Sequence, residues 1–328
     1  MNATDKLIRD ALFEAGFDIF HGPFSPSLYN DLLESEGLVE KGLLSKLPEE
    51  ILTATAEETT ARKKVDAYLI GNTRHLWPIF LRWLCSENES KRQERASDNG
   101  NGEKILEGNF TLRIEDPLDT YEQIAIKDAV ERVLNNESIR LYWSSDYDPS
   151  RMVSMARISY CTGFSYLDAY THLSVHPTFG TWHSYRAVLL IPKEESTVSL
   201  ATSIKVLTNP LSAMERMAAN EAFDKALAIS TGKGDEVHDD SSAHLCEKDT
   251  AKISEELGKG IYKNNDEQTN REDDRKTRVA SAWIQLREAI SIGREKHRFD
   301  DNQLWYHYTK DPVYLFQGMV DLGLINRK

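Results

Sequence analysis

A single apolar strand constrains the fold of this chain more than any other feature of the sequence. Residues 185–192 read Tyr-Arg-Ala-Val-Leu-Leu-Ile-Pro, so apolar side chains fall on both faces of an extended segment. A strand of this kind is buried on both sides, as in the middle of a sheet that helices cover. Its apolar part is also far shorter than the roughly 18 residues that a membrane span needs. We therefore predict a central strand at 185–191 and no membrane segment.

Helical and extended patterns alternate along the rest of the chain. Further strands are predicted at 17–20, 65–70, 139–143 and 172–175, and helices at 4–18, 76–84, 117–133, 209–229 and 279–292. Strands mixed with helices in this way are typical of an α+β or α/β fold. Residues 86–104 are polar, contain two glycines, and predict a loop insertion.

One long polar segment interrupts the pattern. Residues 230–278 are rich in Asp, Glu, Lys, Gly and Asn, with few apolar residues. Such a segment cannot bury enough apolar surface to offset the entropy of ordering it, so we predict a mostly disordered insert. The sequence then predicts one domain over 1–229 that residues 279–328 complete.

Charge and cysteine content exclude several classes of protein. The 328 residues include 40 basic and 53 acidic ones, and the net charge of −13 argues against a general nucleic-acid binder. Three scattered cysteines with no CxxC pair argue against a disulfide framework or a cysteine-rich zinc site. The opening residues lack the pattern of a signal or transit peptide, and we expect a cytoplasmic protein.

The segment 176–182 is the most informative for function. It reads His176-Pro-Thr-Phe179-Gly180-Thr-Trp182, so two large aromatic rings flank a glycine in a short turn beside the central strand. Rings held in this way stack well on a planar ligand. The simpler interpretation, which the residues alone favour, is that the rings plug the end of the hydrophobic core. The sequence leaves both readings open.

Other candidate residues carry two readings as well. Arg186 enters an apolar strand, where its charge needs a partner, and it can clamp a carboxylate or phosphate ligand or form a buried salt bridge. Tyr160 and Tyr166 have a spacing that suits either the wall of a pocket or the core.

In the segment 176–182, followed by Arg186 and the apolar strand that ends at Pro192, the chain resembles the cblC-type (MMACHC) cobalamin trafficking proteins. That family carries an HPxFGGW loop, then an arginine and an apolar strand; here Thr181 replaces the second glycine of the loop. Weaker similarity follows in the same order at 16–17, 29–33, 116–119 and 147–163. At the far end, Arg298-Phe299-Asp-Asp-Asn-Gln303 and Tyr306 are similar to the family's R-Y-S-E-E-Q-x-x-Y.

The resemblance implies an α+β fold similar to the flavin nitroreductases, with an antiparallel central sheet flanked by helices. It also implies an enzyme, a cyanocobalamin reductase and alkylcobalamin dealkylase, that binds cobalamin (vitamin B12) base-off and removes its upper axial ligand. Alkyl groups pass to glutathione, and cyanide leaves after reduction by a flavin, FMN or FAD. The corrin brings its own metal, so no metal site made of protein ligands is expected.

The resemblance also implies which residues contact cobalamin and glutathione. The implied cobalamin contacts are Tyr160, Tyr166, Thr171, His176, Phe179, Gly180 and Trp182, and the implied glutathione contacts are Arg186 and Arg287. The chain departs from the family where Tyr160 takes the place of a pocket histidine and Tyr314 that of an arginine.

The resemblance further implies particular partners: a cobalamin-delivery adaptor, a flavin reductase and, when ligand is bound, a second copy of the chain, the alternative being a monomer. Two other functions stay open. One is a flavin-dependent reductase without a corrin substrate, and the other is a cobalamin chaperone without catalysis.

Overall fold

The computed structural model describes residues 3–54, 60–98, 112, 114–134, 139–193, 206–232 and 266–326. These residues form seven strands and ten helices. The strands are β1 Ile19–Phe24, β2 Glu50–Ala54, β3 Thr60–Asn72, β4 Arg140–Trp143, β5 Tyr166–Leu167, β6 Ser174–Val175 and β7 Ser184–Pro192. The helices are α1 Ala3–Glu14, α2 Pro26–Ser35, α3 Leu76–Asp98, α4 Pro117–Leu134, α5 Met155–Cys161, α6 Ala213–Ser230, α7 Asp266–Glu288, α8 Arg294–His297, α9 Asp301–Thr309 and α10 Pro312–Asp321.

The strands build one main antiparallel sheet and one small one. The main sheet has the order β1-β3-β7-β4, with β2 paired to the first part of β3, and β5 pairs with β6. Every strand pair in both sheets is antiparallel. The apolar strand β7 lies between β3 and β4, which confirms the prediction of a central strand.

Successive side chains of β7 serve two different cores. Ala187 and Leu189 join one apolar cluster with helices α1, α3, α4 and α10, whereas Val188 and Leu190 join a second with α2 and α5. All four side chains are completely buried. Helices therefore cover both faces of the antiparallel sheet, and the predicted α+β fold class is confirmed.

The chain divides into two compact units. The first comprises residues 1–210, 292–306 and 311–328, and the second comprises 211–291 and 307–310. In the second unit α6 and α7 run antiparallel. Glu215 near the start of α6 accepts from the backbone N–H of Ser291 at 3.0 Å, and Ser230 at its end accepts from Arg275 at 3.1 Å.

Two predicted irregular segments contain helix. α3 continues to Asp98 through most of the segment 86–104, and α7 begins at Asp266 rather than at 279. The prediction of a loop from residue 86 and of disorder as far as 278 is wrong for these stretches. The rest of the predicted insert, 233–265, lies outside the described residues. The described helices include none long and apolar enough to cross a membrane.

Candidate functional site

The segment 176–182 forms a closed turn between β6 and β7. The backbone groups of His176 and Gly180 exchange two hydrogen bonds, of 2.9 and 2.8 Å, and the N–H of Trp182 donates to the carbonyl of Phe179 at 2.9 Å. Inside the turn, Nδ1 of His176 accepts from the backbone N–H groups of Thr178 at 3.0 Å and Phe179 at 3.2 Å. We call these seven residues the HPTFGTW loop.

Two glycines bring this loop against the segment that precedes α8. Gly180 has a φ of +58°, and a Cβ placed on it would lie 1.9 Å from the carbonyl oxygen of Ile292. Gly293 has a φ of +71°, and a Cβ there would lie 2.5 Å from the carbonyl carbon of Phe179. Backbone thus packs directly on backbone, an approach that only glycine permits. Residues 292–293, which precede the motif that starts at Arg298, are held in this way beside the loop.

Histidine and phenylalanine rings surround the loop. His176 stacks on Phe179 with ring centroids 4.3 Å apart, and the ring centroid of Phe164 lies 4.5 Å from that of His176. His21 of β1 lies 4.9 Å from Phe164, and His297 of α8 lies 4.9 Å from Phe179. We call these five residues the ring cluster. It presents a band of flat side chains beside the end of the central strand.

The ring cluster favours neutral histidines. Burial, reinforced by His21 and His297, lowers the pKa of His176 to about 4, and burial also lowers the pKa of His297. The two N–H donors that face Nδ1 of His176 require that atom to be unprotonated, so the single ring proton lies on Nε2. At neutral pH the imidazole that accepts these two hydrogen bonds within the loop is therefore uncharged.

A network of hydroxyl groups lies behind the loop. The Tyr185 hydroxyl contacts Ser159 at 2.5 Å, Ser174 at 2.6 Å and Nε2 of His183 at 2.9 Å. Ser165 bonds to Ser159 and, at 2.5 Å, to Ser174. The network joins α5, the bend before β5, β6 and β7.

Trp182 is a core residue. Its side chain is fully buried, it packs edge-to-face on Phe299 at 6.3 Å, and the guanidinium of Arg298 lies over its ring at 5.9 Å. Phe179, by contrast, is half-buried. Trp182 thus packs in the core, as the alternative of an aromatic plug expects, and part of the Phe179 ring is exposed. The roles of both side chains toward a ligand stay predictions.

The remaining cobalamin candidates belong to α5, to β5 and to the turn between β5 and β6. Thr171 is buried and donates to Asp168 at 2.9 Å within the turn between β5 and β6. Tyr160 is half-buried against the core of α2 and α5, and Tyr166 is half-buried in β5. No ligand contact of these side chains is tested, so their roles stay predictions.

Arg186 forms a buried salt bridge. Its guanidinium lies 2.7 Å from Glu122 of α4, and its Nε donates to Oδ1 of Asn72 at 2.6 Å. All three side chains are buried. The salt-bridge reading of Arg186 is therefore observed, while its role toward a thiol substrate stays a prediction.

Arg287, the second glutathione candidate, belongs to the second unit. Its guanidinium lies over the ring of Tyr308 at 5.9 Å. Tyr314, which replaces an arginine of the resembled family, stacks on Trp305 at 5.9 Å. Within the described part of the chain, no group of three or more His, Cys, Asp or Glu side chains is arranged to hold a metal ion.

Sequence reasoning selected the loop but missed several of its neighbours. His21, Phe164 and His297 come from three separate elements, and only the fold brings them together. The glycine motif of the loop was a local signal for Gly180, whereas nothing local marked Gly293 as its counterpart. Glu122 gave no signal because the chain has many acidic residues that could pair with Arg186.

Comparison with known proteins finds little. No family model and no curated protein matches the chain. Among solved structures, a crystal structure titled as a C. elegans B12-trafficking protein CblC, a human MMACHC homologue, aligns with a TM-score of 0.46 and 15% identity. The alignment covers 88% of this chain and 96% of that one.

Proposed function

We propose that this chain binds cobalamin and processes it, with the HPTFGTW loop and the ring cluster at the corrin site. The observation that carries the proposal is the loop itself. Its sequence resembles the cobalamin-trafficking motif, and its fold holds Phe179 and His176 as a stacked, half-buried pair beside the end of the central strand. Flat, uncharged rings suit the flat, largely apolar edge and face of a corrin.

The chemistry proposed for the site is removal of the upper axial ligand of the substrate. In dealkylation, the glutathione thiolate attacks the alkyl carbon, a sulfur–carbon bond forms, and the cobalt–carbon bond breaks with its electron pair left on cobalt. In decyanation, a reduced flavin delivered by a separate reductase supplies the electrons and cyanide leaves. The protein's part is to bind the base-off form and to keep it oriented.

The salt bridge of Arg186 favours a second candidate function. A guanidinium already paired with Glu122 and bonded to Asn72 has fewer N–H groups for a thiol substrate. A chaperone that binds cobalamin and passes it to an adaptor without changing the axial ligand needs no such clamp. The two functions predict the same binding and a different outcome when glutathione is added.

The decisive experiment is a visible absorption titration of the full chain with methylcobalamin and cyanocobalamin, followed by addition of glutathione. A base-off spectrum and then loss of the methyl–cobalt bands supports the dealkylase. A base-off spectrum that glutathione leaves unchanged supports the chaperone or a decyanase that depends on flavin. No spectral change at all contradicts both and favours a flavin reductase without a corrin substrate.

A matched pair of variants tests the place of the site. Phe179→Leu removes the accessible ring of the loop, and we expect the cobalamin Kd to rise about tenfold or more. Phe13→Leu removes a half-exposed ring from α1 and serves as the control. Equal affinity of the two variants would remove the loop from the proposal.

A further inference from the structure

A groove runs between α6 and α7 inside the second unit. Its volume is about 320 Å³. Three kinds of side chain line the groove. They are the cations Lys225, Arg275 and Arg278, the polar side chains of Ser281 and Gln285, and the apolar side chain of Ile229. The lining residues that the structure describes include no acidic one.

Among the residues that the structure describes, the three cations of the groove have no carboxylate partner. Here Arg275 donates to the backbone oxygen of Ser230, and Lys225 donates to Gln285 at 3.3 Å. Arg278 has neither a hydrogen bond nor an ion pair within the described ranges. Within the described part of the chain, most N–H donors of the two guanidinium groups therefore have no acceptor.

The polar side chains of the groove form hydrogen bonds with one another and with Lys225. Gln285 accepts from Lys225 through Oε1 and donates through Nε2 to the hydroxyl of Ser281 at 3.4 Å. In this chain of hydrogen bonds the Ser281 hydroxyl oxygen accepts, so its O–H group can donate to a ligand. Ile229 and the small side chain of Ala282 add an apolar wall next to it.

We propose that this groove binds a small organic dianion, with a phosphate group held by Lys225, Arg275 and Arg278. The planar fork of a guanidinium matches the oxygens of a phosphate, and two such forks with an ammonium neutralise a double negative charge. The apolar wall suits the body of an organic phosphate, since binding sites combine apolar lining with a few charged groups. The proposal does not depend on cobalamin binding.

Calorimetric titration of the full chain at low salt tests this site, with inorganic phosphate and phenyl phosphate as the probes. We expect saturable binding of both, tighter for phenyl phosphate because of the apolar wall. Arg278→Ala should weaken both affinities about tenfold or more. Lys276→Ala removes an equal charge from an exposed position of α7 outside the groove, and its affinities should stay within about twofold of the parent.

Each contrary result overturns a stated part of the proposal. Absence of saturable phosphate binding to the parent chain removes the site. Equal weakening by Arg278→Ala and Lys276→Ala shows only a general effect of positive charge. Equal affinity for the two probes would show that the apolar wall does not contribute to binding, and the ligand would then be any phosphate and not specifically an organic one. Because both positions are exposed, neither substitution is expected to unfold the helix.

Discussion

Gly180 and Ile292 lie backbone to backbone, so close that a single methyl group between them has no room. A Cβ on Gly180 would lie 1.9 Å from the carbonyl oxygen of Ile292, well inside any allowed contact. The contact joins the HPTFGTW loop to the segment that leads into α8 and the C-terminal motif. Two segments far apart in the sequence thus depend on one residue without a side chain.

Gly180→Ala should destabilise the first unit severely or force the loop away from Ile292. The left-handed φ of +58° alone costs an alanine about 1–2 kcal/mol, and the backbone clash adds to that. Gly37→Ala is the matched control, because Gly37 has a similar φ of +66° and nothing within 4 Å of an added Cβ. Urea unfolding measures both variants. An equal loss of stability would show that the contact with Ile292 contributes nothing.

The imidazole of His176 should make the stability of the loop depend on pH. Its folded-state pKa of about 4 lies below the ordinary value of 6.5, so the unfolded chain binds the proton more readily. The stabilisation is therefore complete above about pH 6.5 and is lost as the pH falls toward 4. His176→Phe keeps a ring to stack on Phe179 but removes the Nδ1 acceptor of the two backbone N–H groups. The variant should be less stable than the parent at pH 7. Its free energy of unfolding should fall less steeply than the parent's as the pH drops below 6.5.

The control for that experiment is His172→Asn. His172 is exposed and has a φ of +55°, a conformation that asparagine tolerates. Urea unfolding between pH 4.5 and 7.5 should give this variant the same slope as the parent. The hypothesis is wrong if His176→Phe keeps the parent's slope over this range.

The central architecture was predictable because its signal is local. A strand with apolar side chains on both faces, as at 187–191, is buried only when both faces are covered. In this fold helices cover both faces of β7. The HPTFGTW loop was recognisable for the same reason, since proline, glycine and aromatic residues within seven positions specify a turn.

What the sequence did not predict depends on contacts between distant segments. The polar second half of α3 and the charged beginning of α7 have no apolar stripe, so no helical period marks them. The choice of Glu122 as partner of Arg186, and the meeting of His21 with Phe164, follow from the packing of whole elements. A pattern of residue types carries no information on such pairings.

The salt bridge of Arg186 should be essential for stability, whatever its role toward a substrate. Arg186→Met removes the guanidinium that faces the buried carboxylate of Glu122 and should cost about 3–5 kcal/mol. The double variant Arg186→Met/Glu122→Leu removes both charges and should recover most of that loss. Thermal unfolding distinguishes the two, and a double variant as unstable as the single one would contradict a salt bridge of this kind.

The same pair of variants separates structure from catalysis. If Arg186 also binds the thiol substrate, the stable double variant should keep cobalamin binding while the KM for glutathione rises. If the salt bridge is the whole role of Arg186, the KM should match that of the parent. Cobalamin affinity, measured by the base-off spectrum, controls for damage to the proposed corrin site.

The hydroxyl of Tyr185 should hold the network behind the loop together. Tyr185→Phe removes the atom that contacts Ser159, Ser174 and His183, and leaves these polar groups buried with fewer partners. A loss of about 1–3 kcal/mol is expected, since burying a group without its hydrogen bond carries that penalty. Tyr142→Phe is the control, because the buried Tyr142 ring packs under Arg151 at 4.9 Å and its hydroxyl has no hydrogen bond in the described part of the chain. Chemical denaturation should show a clearly smaller loss for Tyr142→Phe, and equal losses would mean that the network adds no stability.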